Sequence, residues 1–156
     1  MSSEQFTRLI LDTFLPYRLS IVNNKIRHAL SSTYSKQFDL SPIEWRVLAV
    51  LGQNEKMSAD EICRFTGTDK VAVSRAVSKL LRKKRISRKR SSFDRRRSIL
   101  RLTEHGLSIY ESIVPRVLQV EDSLAEGLSQ RERREFCKLL GKIERQVSAL
   151  KISPEF

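Results

Sequence analysis

The sequence predicts a mainly α-helical chain with one small β-hairpin, and three observations predict it. Ser41, Ser58 and Ser129 are each followed by Glu at the third position, the spacing of a helix-start capping box. Apolar residues recur at intervals of three and four through most of the 156 residues. Only between Arg85 and Leu102 does that rhythm give way to short, partly alternating runs.

The elements follow in order. A first helix is expected from about Leu9 to Lys36, bent near Pro16, with Leu15, Leu19, Val22, Ile26 and Leu30 on one stripe. Ser41-Pro42-Ile43-Glu44 opens a second helix to about Leu51, since Pro suits the first helical position. Trp45, Leu48 and Leu51 point inward. Ser58 opens a short third helix, Ala59 to Phe65. Asp69 follows Gly67 and can accept an orphan amide, so a fourth helix runs from Lys70 to Lys84. Strands at 85–90 and 98–102 flank a basic tip, Ser91 to Arg97, and the segment before the third helix can add a third short strand. Thr103 caps a fifth helix to about Leu124, and Ser129 a sixth to Leu150. Three helices and then a hairpin make a winged helix-turn-helix. Residues 37–103 are expected to form that DNA-reading region, with 1–36 and 104–156 as helical dimerisation arms of one intertwined domain.

Charge says what the hairpin and its preceding helix are for. Fifteen of the thirty Lys and Arg lie between Arg64 and Arg101, against two acids, Asp69 and Asp94. The rest of the chain holds fifteen cations against sixteen acids, so the net charge of +12 is concentrated in one stretch. Concentrated positive charge on structured spacing is an electrostatic footprint for a polyanion, here double-stranded DNA. On a helical wheel Val73, Ala76, Val77 and Leu80 share one side. Val71, Arg75, Ser78 and Arg82 share the other, flanked by Ser74 and Lys79. An Arg in the major groove takes guanine O6 and N7 together, worth about 1–3 kcal/mol of discrimination, and Val71 fits a thymine methyl. A solvated polar face is the plainer alternative. The run Lys79, Arg82, Lys83, Lys84, Arg85, Arg88, Lys89 and Arg90 is expected to meet phosphates, which position without specifying. At the tip, Asp94-Arg95-Arg96-Arg97 offers an Arg slender enough for the minor groove, with Asp94 bracing it or simply making the turn.

The stretch Asp94-Arg95-Arg96-Arg97-Ser98-Ile99-Leu100-Arg101-Leu102-Thr103-Glu104-His105-Gly106 resembles the wing signature of the MarR family (multiple-antibiotic-resistance regulators). That signature is Asp-x-Arg, five residues, then Leu-Thr-x-x-Gly, and Asp94, Arg96, Leu102, Thr103 and Gly106 meet its fixed positions. The helix order and Leu15-Pro16-Tyr17-Arg18-Leu19 agree with it. The resemblance implies a homodimeric regulator, a repressor by preference, on an inverted-repeat operator. It places Arg96 in the minor groove with Asp94 as its brace, and Lys70, Ser74 and Arg75 where bases or phosphates are read. The chain departs from the family where Gly commonly leaves the reading helix. Arg85 stands there: if that position needs a left-handed backbone Arg85 bears some strain, and either the turn differs slightly or an extra phosphate contact offsets the cost.

Apolar residues at both ends, Phe6, Leu9, Ile10 and Phe14 and then Leu128, Phe136, Leu139, Leu140, Ile143, Val147 and Leu150, are more than lone surface helices need. They are expected to pack against a second copy. Small aromatic effectors bind MarR-family members between the dimer helices and the reading lobe, and Tyr17, Arg18, His28, Trp45 and Tyr110 are candidates to line such a space. Core packing is the competing assignment for Trp45. Cys63 and Cys137 have no metal-ligand or redox spacing and are expected as partly buried reduced thiols; oxidation of Cys63 is a weaker alternative. No cofactor or metal is expected. Asp69 and Asp94 lack a partner His, so no enzyme is expected. The N-terminal stretch lacks the basic start and apolar run of a signal peptide, and no run of eighteen apolar residues occurs. A cytoplasmic protein without a membrane segment is expected. The competing function is an architectural protein that coats DNA without sequence choice.

Overall fold

The computed structural model describes residues 8–90 and 98–150. Among them lie α1 (Leu15–Phe38), α2 (Pro42–Gln53), α3 (Ala59–Thr66), α4 (Lys70–Arg82), β1 (Ile86–Arg90), β2 (Ser98–Leu102), α5 (Glu104–Ala125) and α6 (Gln130–Ala149). The mainly helical fold with a small antiparallel sheet is as expected. The chain forms two compact units, Met1–Val117 and Leu118–Phe156.

Local chemistry sets the helix starts. At Ser41, Ser58 and Ser129 the hydroxyl accepts from the backbone N–H three residues on, and that residue's Glu carboxylate accepts from the Ser N–H. Each reciprocal pair satisfies two amides that a helix start would leave orphaned. The Asp69 carboxylate accepts from Ala72 N–H at 2.9 Å and starts α4. Gly67 ends α3 in the left-handed region at φ 60°, where a side chain would be strained.

The core of the first unit gathers residues from five elements. Val47 and Leu48 of α2, Ile62 of α3, Val73, Val77 and Leu80 of α4, Leu100 of β2 and Ile113 of α5 are all fully buried. Burying each such side chain contributes about 1.5–3 kcal/mol. The strands pair from Ile86 opposite Leu102 to Arg90 opposite Ser98, which puts Ile86, Leu100 and Leu102 on the core side. Met57 forms an isolated bridge to Leu100, the expected third rung. Together these contacts seat α4 on α2 and α3 with its polar side open.

In the second unit, α6 buries none of its residues. Leu128, Phe136 and Leu139 instead border an open groove of about 370 Å³ with Glu132 and Glu135. No helix among the described residues is long and apolar enough to cross a membrane.

Three expectations need correction. The first helix begins at Leu15, not Leu9, and Pro16 lies in its first turn rather than at a bend. Pro has no N–H to give and its fixed φ suits a helix start, so it initiates where it was expected to kink. The fourth helix stops at Arg82, because Lys84 takes a left-handed backbone at φ 54°. Cys137 is exposed, on a helix none of whose residues is buried, whereas Cys63 is half-buried as expected.

Candidate nucleic-acid interface

Helix α4 is split lengthwise. Val73, Ala76, Val77 and Leu80 are buried, while Lys70, Val71, Ser74, Arg75, Ser78 and Lys79 are all exposed. Val71 stays 59% accessible, which leaves a methyl-sized contact open to a ligand. The sequence-predicted reading residues therefore share one solvent-facing side of a helix that the core holds in place. Lys70 also lies 3.4 Å from the Asp60 carboxylate of α3, an exposed ion pair. Such a pair is worth little in water, and the lysine is easily released to a phosphate.

Sequence reasoning missed the start of α2. Ser41 and Ile43 line a groove of about 200 Å³ with Ala72, Arg75, Ala76 and Lys79 of α4. The cap of α2 thus lies along the polar side of the reading helix. The capping box located Ser41 as a helix start, but no local signal tells which other helix a cap will adjoin.

Among the described side chains, the cationic run that begins at Lys79 divides into two groups. Lys79, Arg82, Lys84, Arg88 and Lys89 are exposed and free to meet a polyanion. Arg85 is not: it is 9% accessible, and its guanidinium donates to Phe38 O at 2.5 Å and to Asp39 O at 3.3 Å. Lys83 is also turned toward the protein, its Nζ 2.7 Å from both Asp39 O and Asp39 Oδ2. That hydrogen bond, with the nearby charges of Lys83, Arg85 and Lys79, holds the Asp39 carboxyl below its ordinary range. The expected phosphate contact of Arg85 is therefore wrong; of the two outcomes expected for this turn, the turn differs slightly and Arg85 carries no left-handed strain. The strained position is Lys84, one residue earlier.

Of the wing signature, Asp94, Arg95, Arg96 and Arg97 lie outside the described residues. The other half, Leu102, Thr103 and Gly106, is structural. Thr103 Oγ1 donates to the carbonyls of Lys84 (2.7 Å) or Arg85 (3.0 Å) and accepts from Gly106 N–H at 3.0 Å. Thr103 N–H donates to Arg85 O at 3.1 Å. A Cβ at position 106 would stand 1.8 Å from Arg85 O, so only Gly lets α5 start so close to the turn leaving α4.

The five ligand candidates are not equivalent. Trp45 is a core residue, stacked between Tyr34 and Tyr110 at centroid distances of 5.7 and 6.0 Å. Burial pushes the Tyr34 hydroxyl up in pKa, against the lowering effect of Arg46 and Arg27. Arg18 donates to Asp12 O at 3.1 Å, and Tyr17 is exposed on the first turn of α1. His28 is exposed and borders a shallow cavity of about 300 Å³ with Asn24, Arg27, Ser31 and Pro42. Of the five, only Trp45 and Tyr110 are brought into ring contact. No cluster of three or more His, Cys, Asp or Glu fit to hold a metal occurs among the described residues.

The chain matches known proteins along most of its length. A sequence model of the MarR family matches residues 38–97, the span from the end of α1 to just before β2. A MarR/EmrR family transcriptional regulator from Acinetobacter sp. ADP1 is 30% identical and superimposes with a TM-score of 0.84, over 91% of this chain and all of that one. The HTH-type transcriptional repressor YetL of Bacillus subtilis is 22% identical over 132 residues, 83% of this chain and 78% of YetL. A mutant MarR from E. coli, complexed with operator DNA, shares the fold at 22% identity and a TM-score of 0.78, over 88% of this chain and 98% of that one. The identity with the Acinetobacter regulator, the length over which it holds and the family match across the reading region agree: this chain belongs to the MarR family of transcription regulators.

Proposed function

We propose that this regulator is a homodimer that places one α4 in the major groove of each half of an inverted-repeat operator and represses by covering a promoter. The observation that carries the proposal is α4 itself, an exposed row of Lys70, Val71, Ser74, Arg75, Ser78 and Lys79 held rigidly on a buried one. Arg75 and Ser74 read base edges, Val71 touches a thymine methyl, and Lys70, Ser78 and Lys79 grip the backbone. Arg95, Arg96 and Arg97 act at the wing, with Arg96 in the minor groove braced by Asp94.

Residues 1–36 and 104–156 form the dimer arms, and 37–103 the reading region. What supports the dimer is apolar exposure at both ends. Leu9, Ile10 and Leu11 before α1, and Leu128, Phe136, Leu139 and Val147 around α6, are between 42% and 65% accessible in a single chain. Apolar surface of that extent calls for a partner, and a second copy of the same chain is the symmetrical solution. The operator of the E. coli relative supports an operator here, and the YetL name supports repression. Any small aromatic effector binds without Trp45, whose ring belongs to the core.

Replacing Arg75 by Ala tests the reading. Affinity for the duplex that the wild type selects should fall by about ten- to a hundredfold, while affinity for random duplex changes little. Equal loss on both would favour sequence-tolerant coating of DNA instead.

A further inference from the structure

Helix α1 ends without the usual glycine. Its C-cap residue, Asp39, takes the left-handed region at φ 48°, and the last carbonyls of a helix carry its negative dipole end and need donors. Those donors come from just beyond the end of α4. Arg85 binds the carbonyls of Phe38 and Asp39, and Lys83 binds the carbonyl and carboxylate of Asp39. Arg85 Nε is buried with no partner, so this guanidinium is withdrawn from solvent at some desolvation cost and is not on offer to a phosphate.

The backbone of the same residue is held from a third element. Arg85 O accepts from Thr103, and Gly106 leaves room for it. Helix α5 reaches α1 as well: Arg116 donates to Gln37 Oε1 and sits 5.6 Å from the centre of the Phe38 ring. The last turn of α1, the turn leaving α4 and helix α5 therefore meet in one knot of hydrogen bonds, in which those from Lys83, Arg85 and Arg116 are charge-assisted and those from Thr103 are neutral.

From this knot we infer that Arg85 and Lys83 are positioning residues which fix the angle between α4 and α1, and so set the spacing between half-sites that the dimer accepts. The inference rests on the dimeric DNA-reading role proposed above. Two of the run's cations are then neither base readers nor phosphate ligands. A rigid pair of reading helices tolerates one separation, because each added base pair shifts the next half-site by about 3.4 Å along the duplex. Loosening α4 on α1 widens the tolerated range without touching the contacts of α4 itself.

The probe is the inverted repeat that the wild-type chain selects from random duplexes, remade with its spacer shortened or lengthened by one and two base pairs. Lys83→Met, Asp39→Asn and Arg85→Met are compared with the wild type in affinity, salt slope and thermal midpoint. The wild type should prefer its own spacer by about tenfold or more, since mis-spaced DNA must be deformed to fit. In the variants that preference should shrink to about twofold while the log–log salt slope stays unchanged. If Arg85→Met does not fold, Lys83→Met and Asp39→Asn carry the test, since their side chains are at least partly exposed.

A wild type indifferent to spacer length overturns the dimeric reading and the clamp with it. A spacer-selective wild type whose folded variants keep the same preference overturns the clamp alone. So does a uniform loss at all spacers with the slope reduced by about one for each chain's lost cation, which would make Lys83 or Arg85 a phosphate ligand.

Discussion

Lys84 occupies a left-handed backbone at φ 54°, in a turn pinned by its own carbonyl to Thr103 and by Arg85 to α1. A side chain with a Cβ costs about 1 kcal/mol there, and Gly does not. Lys84→Gly is therefore expected to raise unfolding free energy by about 0.5–1 kcal/mol, read from the midpoint and slope of urea denaturation. A loss of stability would mean that the side chain contributes more than the strain removes. At this scale the sequence was informative wherever the partner is three residues away: every capping Ser and Asp69 is as expected. It was silent on Arg85, whose acceptors lie 46 and 47 positions back. Nothing local distinguishes a cation that will be buried from its neighbours in the run. Trp45 was legible only as a choice between core and ligand, and the stack with Tyr34 and Tyr110 decides it.

Between elements, the turn leaving α4 is tied to α1 partly by an ion pair that pH can test. Asp39 is held below the ordinary carboxylate range chiefly by the hydrogen bond from Lys83. A depressed folded value means the pair stabilises the fold above the unfolded value, near 3.9, and is lost as pH falls through the lower folded one. Arg85 binds carbonyls of α1 rather than the carboxylate. Carboxyl NMR of Lys83→Met should show Asp39 titrating closer to its ordinary range, and an unmoved titration would deny the pairing. The same sign applies at the start of α6, where the Ser129 hydroxyl and amide hold Glu132 low. Element order and most boundaries were readable because capping and apolar spacing are local. The start of α1 was misplaced because Leu9, Ile10 and Leu11 continue an apolar stretch without being helical. That stretch is made for a surface, and periodicity alone does not say which.

For the molecule as a whole, the concentration of charge between Arg64 and Arg101 pointed to DNA before any fold was known. The structure refines this by burying Arg85 and pairing Lys83 with Asp39. The apolar side of α6 was equally visible in the sequence, since Phe136, Leu139 and Val147 recur at helical spacing, and among the described residues they stay exposed. Leu139→Glu should yield a folded monomer by sedimentation and weaken operator binding by about a hundredfold or more, because two linked reading helices gain from each other's binding. A dimer that survives the charge would place the seam elsewhere. What no single-chain reading supplies is the separation of the two α4 helices, which belongs to the pair.

Selection from a pool of random duplexes by the purified chain, followed by sequencing, tests the central claim most directly. The account predicts enrichment of one inverted repeat whose half-site centres lie about 10 base pairs apart, one duplex turn, or a multiple of it. A pool that emerges without symmetry, or without enrichment over the input, would contradict it.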